Sequence, residues 1–173
     1  MIIAILLFSF WISVNVVYGA DSASIYKWSG TSVGVDVSDL PSGWIPSLAS
    51  SMTAWNNISS TFTFYSSSGG HKVYDANIGP GVPGETYLSK SGVVIQDADT
   101  VLNTNYLWST SGVYGHMDVQ NVLTHELGHW FMLYDLYYGY QSEYTMYGVI
   151  VTGETKKRTL EDDDVDSAYT MYH

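Results

Sequence analysis

The sequence of 173 residues contains no cysteine and only six lysine and arginine residues. Without cysteine the chain has no disulfide framework, no thiolate metal ligand and no thiol nucleophile. The six cationic residues stand against 17 aspartates and glutamates, which gives a net charge of −11. Nucleic acids and anionic membrane surfaces both require a basic face, so this charge argues against either as a partner. It is compatible with metal cations and with cationic substrates.

Charged residues of any kind are scarce as well, at 13% of the chain, whereas 46% of the residues are hydrophobic. Such a composition is too apolar for a disordered chain and sufficient for a hydrophobic core. The length allows one domain of ordinary size, and the sequence contains no internal repeat and no linker. We therefore expect a single domain over residues 21–173, and we expect it to be a monomer.

The first twenty residues form a hydrophobic stretch without a charge. Apolar residues from 2 to 12, followed by small residues at Gly19 and Ala20, are typical of a secretory signal peptide. The stretch is also close to the length that spans a bilayer, so an uncleaved N-terminal anchor stays open as the alternative. Either alternative places the remaining chain outside the cell, secreted or attached to the cell surface.

The remaining sequence alternates between the periods of strands and helices, which indicates an α+β domain. Hydrophobic residues at three- and four-residue steps from Ile45 to Ile58 predict an amphipathic helix with Pro46 in its first turn. Asp118 is a favourable N-cap for a second helix, and Thr159 for a third helix near the C-terminus. Alternating patterns predict strands over residues 31–38 and 61–65, and residues 72–78, 85–89 and 93–102 are further strand candidates.

The second predicted helix carries the segment HELGH, from His125 to His129. Two histidines one helical turn apart project from the same face and can share a zinc ion at about 2.0–2.1 Å. Glu126 is placed to reach a metal-bound water without binding the metal itself. Asp135 follows six residues beyond His129, where a carboxylate can return as a third ligand and leave the fourth coordination position to water.

Residues His125 to Asp135 resemble the long metal-binding signature of the metzincin metallopeptidases, and the segment from Tyr144 to Gly148 resembles their Met-turn. Residues 94–108 and 52–56 are similar to the strand before the active-site helix and to the first helix of matrixin-type members. The resemblance covers most of the chain from about residue 28 onward. It implies a metzincin-like fold, in which a twisted mixed β-sheet accompanies an active-site helix and a C-terminal helix.

The resemblance also implies a zinc-dependent endopeptidase. His125, His129 and Asp135 would be the zinc ligands, Glu126 the general base and Met146 the apolar floor beneath the metal. Only three histidines remain outside the motif, too few for the histidine cluster that holds a second, structural zinc in many matrixins. We therefore expect one zinc ion per chain.

A substrate peptide or protein would bind in extended conformation, as the resemblance implies, along an upper edge strand. That strand would comprise Glu85, Thr86, Tyr87 and Leu88, and residues 149–153 would form one wall of the pocket. Four tyrosines are candidates for stabilising the oxyanion: Tyr134, Tyr138, Tyr144 and Tyr147.

Two residues depart from the metzincin pattern. Met132 stands where the signature has a glycine, which turns sharply out of the helix in a conformation that is strained for methionine. We therefore expect a turn of different detail, or a helix that runs further before it bends. Asp135 stands where histidine is commoner, and its negative charge would make a metal-bound water somewhat less acidic.

Two other interpretations of the motif stay open. A gluzincin-type zinc hydrolase would take its third ligand from a later glutamate, for which Glu143, Glu154 and Glu161 are the candidates. A non-catalytic secreted zinc-binding module would close the fourth coordination position with a protein ligand, and His116 is the nearest candidate.

Calcium stays open as a second ion because of the surplus of acidic residues. No EF-hand-type spacing occurs, however. Asp97 and Asp99 are more typical of a strand edge, and the run from Glu161 to Asp164 is more typical of a solvated helix start, than of a calcium cage.

Overall fold

A computed structural model of the chain describes residues 25–173. The predicted signal peptide or anchor, residues 1–20, lies outside the described residues. Within the described part, no helix combines the length and the apolar character that crossing a membrane requires.

The core of the fold is a mixed five-stranded sheet. Its strand order is β2-β1-β3-β5-β4, with parallel pairing throughout except that β4 runs antiparallel to β5. β4 is therefore an edge strand, as the sequence predicted. Every strand end lies within two residues of its predicted position. The strands are β1 (Ser32–Asp36), β2 (Thr63–Ser67), β3 (His71–Ala76), β4 (Gly84–Ser91) and β5 (Val94–Asn103).

Three helices complete the mixed α/β architecture in the predicted order: α1 (Ile45–Asn56), α2 (Val119–Trp130) and α3 (Asp162–Tyr172). Pro46 lies in the first turn of α1, as predicted. The prediction of Thr159 as N-cap of α3 is wrong, because Glu161 occupies that position in a capping box with Asp164. A short parallel pair, β6 (Trp108–Ser109) with β7 (Met117–Asp118), leads into α2.

Helix α2 is the most deeply buried helix, with ten of its twelve residues buried. Helix α1 packs along it, and the Trp55 indole Nε1 donates a hydrogen bond of 2.8 Å to the Thr124 carbonyl. Asp118 caps α2 as predicted, because its carboxylate accepts from the Asn121 amide at 3.0 Å. The same carboxylate accepts from the Arg158 guanidinium at 2.8 Å, which ties the later loop to the start of the helix.

The exit from α2 differs from the expectation at Met132. The helix ends at Trp130, and Met132 itself adopts the left-handed conformation, with φ of 61°. Its amide donates to the His129 carbonyl, and the Leu133 amide donates to the Gly128 carbonyl. These two bonds form a Schellman motif. The expectation of a different turn or a longer helix is therefore wrong: burial of Met132 and Leu133 offsets the roughly 1–2 kcal/mol that a left-handed conformation costs a non-glycine residue.

The Asp118 cap yields a stability prediction. Asp118→Ala removes the cap and leaves the Arg158 guanidinium without its carboxylate, so we expect the free energy of unfolding to fall by about 3 kcal/mol. Asp118→Asn keeps an acceptor for the Asn121 amide and should lose less. Urea unfolding of both variants measures the difference, and a loss below about 1 kcal/mol for Asp118→Ala would contradict the account.

Candidate metal centre

The two histidines of α2 are held by backbone carbonyls from two different loops. The His125 Nδ1 lies 2.8 Å from the Thr145 carbonyl oxygen, and the His129 Nδ1 lies 2.8 Å from the Leu133 carbonyl oxygen. Because a carbonyl only accepts, each Nδ1 must carry the proton. In the neutral ring this leaves the lone pair on Nε2, which is the form that binds a metal.

Asp135 reaches the two histidines from the chain beyond the Schellman turn. Its Oδ1 lies 3.1 Å from the His125 Nε2 and 3.8 Å from the His129 Nε2. The flanking Leu136 forms a bridge with the Met-turn: its amide donates to the Met146 carbonyl, and its own carbonyl accepts from the Gly148 amide. The structure thus brings together all three residues that were predicted as ligands.

The Asp135 Oδ1 is buried and has no hydrogen bond of acceptable geometry. An orphaned buried carboxylate oxygen is costly, and in folded proteins it commonly has an ion or another charge as its partner. Here it faces two imidazole nitrogens whose second nitrogens are already engaged. The residues present therefore fit a cation of the zinc type, with nitrogen and oxygen ligands.

Glu126 completes the cluster. One of its carboxylate oxygens and one ring nitrogen from each histidine all lie within 4.8 Å of one another. The Glu126 Oε2 accepts a hydrogen bond of 2.7 Å from the Thr86 hydroxyl on β4. Its Oε1 lies against Gly84, where an added Cβ would approach it to 2.8 Å. Both carboxylate oxygens of Glu126 are therefore in contact with the edge strand β4.

The turn that contains Met146, which the resemblance equates with the Met-turn, packs against helix α2. Met146 is fully buried, and its Sδ would lie 2.2 Å from a Cβ added to Gly128. The glycine within HELGH is thus required by the close approach of Met146 to the helix. The turn also presents the Thr145 carbonyl that holds His125.

Asp164 anchors the Met-turn, a role that the sequence interpretation missed. Its side chain is fully buried and accepts from the amides of Thr145, Met146 and Glu161 at 3.0, 3.2 and 3.0 Å. The prediction that residues 161–164 form a solvated helix start is therefore wrong at this position. Asp164 lies four residues before the buried Ala168, so helical periodicity already placed it on the inner face.

The cluster opens into a cleft of about 360 Å³, here called the histidine cleft. Among its lining residues are Gly84, Thr86 and Leu88 on one side and Tyr134, Tyr137 and Ile150 on the other. Of the four tyrosines considered for the oxyanion, only Tyr134 lines it, and Tyr138, Tyr144 and Tyr147 do not.

Tyr137 was missed by the sequence interpretation. Its hydroxyl donates to the Asp135 Oδ2 at 3.2 Å, and its ring covers Gly148 so closely that a Cβ there would lie 2.7 Å from it. Residues two apart in an extended segment share a face, which could have linked Tyr137 to Asp135.

The charges of the centre stabilise one another. Burial disfavours the protonated His125 ring and lowers its pKa. The carboxylates of Asp135 and Glu126 and the Thr145 carbonyl favour the protonated ring more strongly, so that the pKa of His125 is raised above its ordinary 6.5. Burial likewise disfavours the ionised Asp135, but its contact with His125 and the charge of His129 hold the pKa of Asp135 below its ordinary 3.8.

The alternative ligands lie elsewhere. Glu143, Glu154, Glu161 and His116 do not line the histidine cleft. Glu143 pairs with Lys156 at 3.1 Å, Glu154 pairs with the buried Lys157, and Glu161 caps α3.

The acidic residues considered for calcium have protein partners. The Asp97 carboxylate contacts the His71 ring at 2.6 Å, and Asp99 accepts from the Lys72 amide at 2.7 Å. In the described part of the chain, neither belongs to a group of three metal-ligating side chains.

No protein-family model matches the chain, and a search of curated proteins finds no similar sequence. The chemistry of the centre is therefore inferred from its geometry.

The His125–Asp135 pair yields a pH prediction for the metal-free protein. The raised pKa of His125 stabilises the folded state below 6.5, and this contribution is lost as the pH rises through that raised pKa. The lowered pKa of Asp135 stabilises the folded state above pH 3.8, and this contribution is lost as the pH falls through the lowered pKa. The pair is therefore fully effective between these values.

Asp135→Asn removes the carboxylate while preserving the side-chain shape. With a chelator present, we expect it to lower the free energy of unfolding by roughly 1 kcal/mol more at about pH 5.5 than at about pH 8.5, after allowing for solvent around Asp135. Urea unfolding at both pH values measures this difference. An equal loss at the two values would contradict the ion pair.

Proposed function

We propose that the protein is a zinc-dependent endopeptidase. The observation that carries this proposal is the convergence of two imidazole Nε2 atoms and an orphaned carboxylate oxygen of Asp135 at the bottom of an open cleft, with Glu126 beside them. Three protein ligands and an open side are typical of catalytic zinc sites, whereas structural sites are closed by four. His125, His129 and Asp135 would hold the metal.

A bound zinc ion supplies a Lewis acid that polarises the scissile carbonyl and makes water a stronger acid. Glu126, clamped between Thr86 and Gly84, is the residue that accepts the proton of the attacking water. The same carboxyl then passes this proton to the nitrogen of the leaving amine. The hydroxyl of the water ends on the carbonyl carbon, and the C–N bond breaks.

The substrate is proposed to lie along β4. Residues 84–91 form an edge strand whose outer side pairs with no other strand of the described sheet, so an extended peptide can add to it by backbone hydrogen bonds. Gly84, Thr86 and Leu88 line the cleft, and the exposed Glu85 also borders it, whereas Tyr87 is exposed and does not line it. Tyr134 and Tyr137 also line the cleft, so their phenol groups are the candidates for contacting the carbonyl oxygen of the substrate.

We further propose that the fold is metzincin-like. The mostly parallel sheet with one antiparallel edge strand, the HELGH helix, the fully buried Met146 beneath it and the C-terminal helix all support this proposal. The hydrophobic residues 1–20 support secretion, or attachment to the cell surface if that segment is retained.

The central experiment compares the protein with Glu126→Ala. The metal contacts of His125, His129 and Asp135 remain in this variant, so we expect zinc affinity to be retained. Hydrolysis of a mixture of quenched fluorogenic peptides should fall by about 10²–10⁴-fold, because the proton acceptor is lost. Zinc-loaded wild-type protein that cuts no peptide would contradict the enzyme proposal and favour the non-catalytic zinc-binding module.

A second comparison tests the ligand set. Asp135→Ala should weaken zinc binding by more than about 100-fold, since loss of even an outer partner of a metal ligand costs 10–100-fold. Glu143→Ala, at an exposed glutamate that pairs with Lys156, serves as the control for the gluzincin alternative. Competition with a fluorescent chelator measures both affinities, and full zinc affinity in Asp135→Ala would favour that alternative.

A further inference from the structure

Glu126 is connected to the interior of the protein by a chain of three hydrogen bonds. The Trp130 Nε1 lies 2.9 Å from the Thr100 hydroxyl, the Thr100 hydroxyl lies 2.7 Å from the Thr86 hydroxyl, and the Thr86 hydroxyl lies 2.7 Å from the Glu126 Oε2. We propose that Thr86 is the positioning residue of Glu126 and that Thr100 and Trp130 fix the orientation of the Thr86 hydroxyl. This inference rests on the proposed function only for its effect on catalysis.

The chemistry of the two ends sets the direction of the chain. An indole N–H can only donate, and a carboxylate can only accept. Thr100 therefore accepts from Trp130 and has its own proton free to donate to Thr86. Thr86 accepts from Thr100 and directs its proton to Glu126. Each hydroxyl is thus used both as donor and as acceptor, and the Thr86 proton is directed at Glu126, whose Oε2 at 2.7 Å lies closer than its backbone carbonyl at 3.3 Å.

The fold holds this chain rigidly. Thr86 and Thr100 are direct cross-strand partners in the β4–β5 pairing, on the regular side of the irregularity between Ser89 and Lys90. Thr100 and Trp130 are fully buried. The Thr86 hydroxyl also lies 3.3 Å from the Glu126 backbone carbonyl, which is a second contact between β4 and α2.

The two carboxylate oxygens of Glu126 therefore have different surroundings and different roles. Oε2 accepts the hydrogen bond from the Thr86 hydroxyl, while Oε1 lies against Gly84, two residues earlier on the same strand. The carboxylate therefore cannot rotate freely, and Oε1 is the oxygen left to accept a proton from water in the cleft. A general base displaced by about 1 Å can cost about 100-fold in rate, so loss of the Thr86 contact should reduce turnover rather than substrate binding.

The first test uses Thr86→Val, which has the same shape but no hydroxyl, and Thr86→Ser, which restores the hydroxyl. We expect Thr86→Val to lower kcat by about 10–100-fold with KM and zinc affinity changed less than about twofold. Thr86→Ser should recover most of kcat. Thr63→Val, an exposed threonine on the opposite edge strand β2, is the matched control and should leave all three quantities unchanged. Wild-type kcat in folded Thr86→Val would overturn the proposal.

The second test needs no activity. The Trp130 indole N–H gives its own resonance in a ¹H–¹⁵N spectrum of the metal-free protein. Glu126→Gln, which replaces an acceptor-only group, should shift this resonance through Thr86 and Thr100, and the shift should disappear in the Thr86→Val background. Thr86→Ala serves if Thr86→Val does not fold.

The two tests separate the two claims. An inactive wild-type protein whose Trp130 resonance responds only through Thr86 would reject the endopeptidase and support the positioning role. A response to Glu126→Gln that persists without the Thr86 hydroxyl would overturn the positioning role whether or not the protein cuts peptides.

Discussion

The centre depends on two backbone carbonyls that hold the inner nitrogens of two histidines. The Thr145 carbonyl engages the His125 Nδ1 and the Leu133 carbonyl engages the His129 Nδ1, each at 2.8 Å. Only this arrangement turns both Nε2 lone pairs toward one point. The Schellman turn at Met132 positions the Leu133 carbonyl. The turn at Met146, whose amides donate to Asp164, positions the Thr145 carbonyl.

The centre lies between the edge strand of the sheet and the segment that follows helix α2. On one side the edge strand β4 clamps Glu126 through Thr86 and Gly84, and on the other side the bridge between Leu136 and Tyr147 positions Asp135. The helix between them is buried and accurately capped by Asp118. A buried helix with one side facing a strand edge and the other facing a loop holds the side chains between them in fixed positions, as the proposed zinc centre requires.

Much of this arrangement could be predicted from local sequence patterns. The strands and helices follow from the alternating and helical periodicities, and the convergence of His125 and His129 follows from their spacing. The left-handed Met132 could not be predicted, because tertiary burial there outweighs a backbone preference for glycine. Helical periodicity places Asp164 on the inner face of α3, but two of the three amides that donate to its carboxylate belong to Thr145 and Met146, and no local pattern brings these to it. The contact of Thr86 with Glu126 depends on the packing of β4 against α2, 40 residues apart in sequence, which no local pattern encodes.

The most direct test of the metal centre is a crystal structure of the zinc-loaded protein with anomalous diffraction measured at the zinc edge. The geometry predicts one anomalous peak bound by the Nε2 atoms of His125 and His129 at about 2.0–2.1 Å and by the Asp135 carboxylate at about 2.0–2.2 Å. Glu126 should remain on Thr86 and outside the ligand set. A peak ligated by Glu126 in place of Asp135, or no peak in the histidine cleft, would contradict the account.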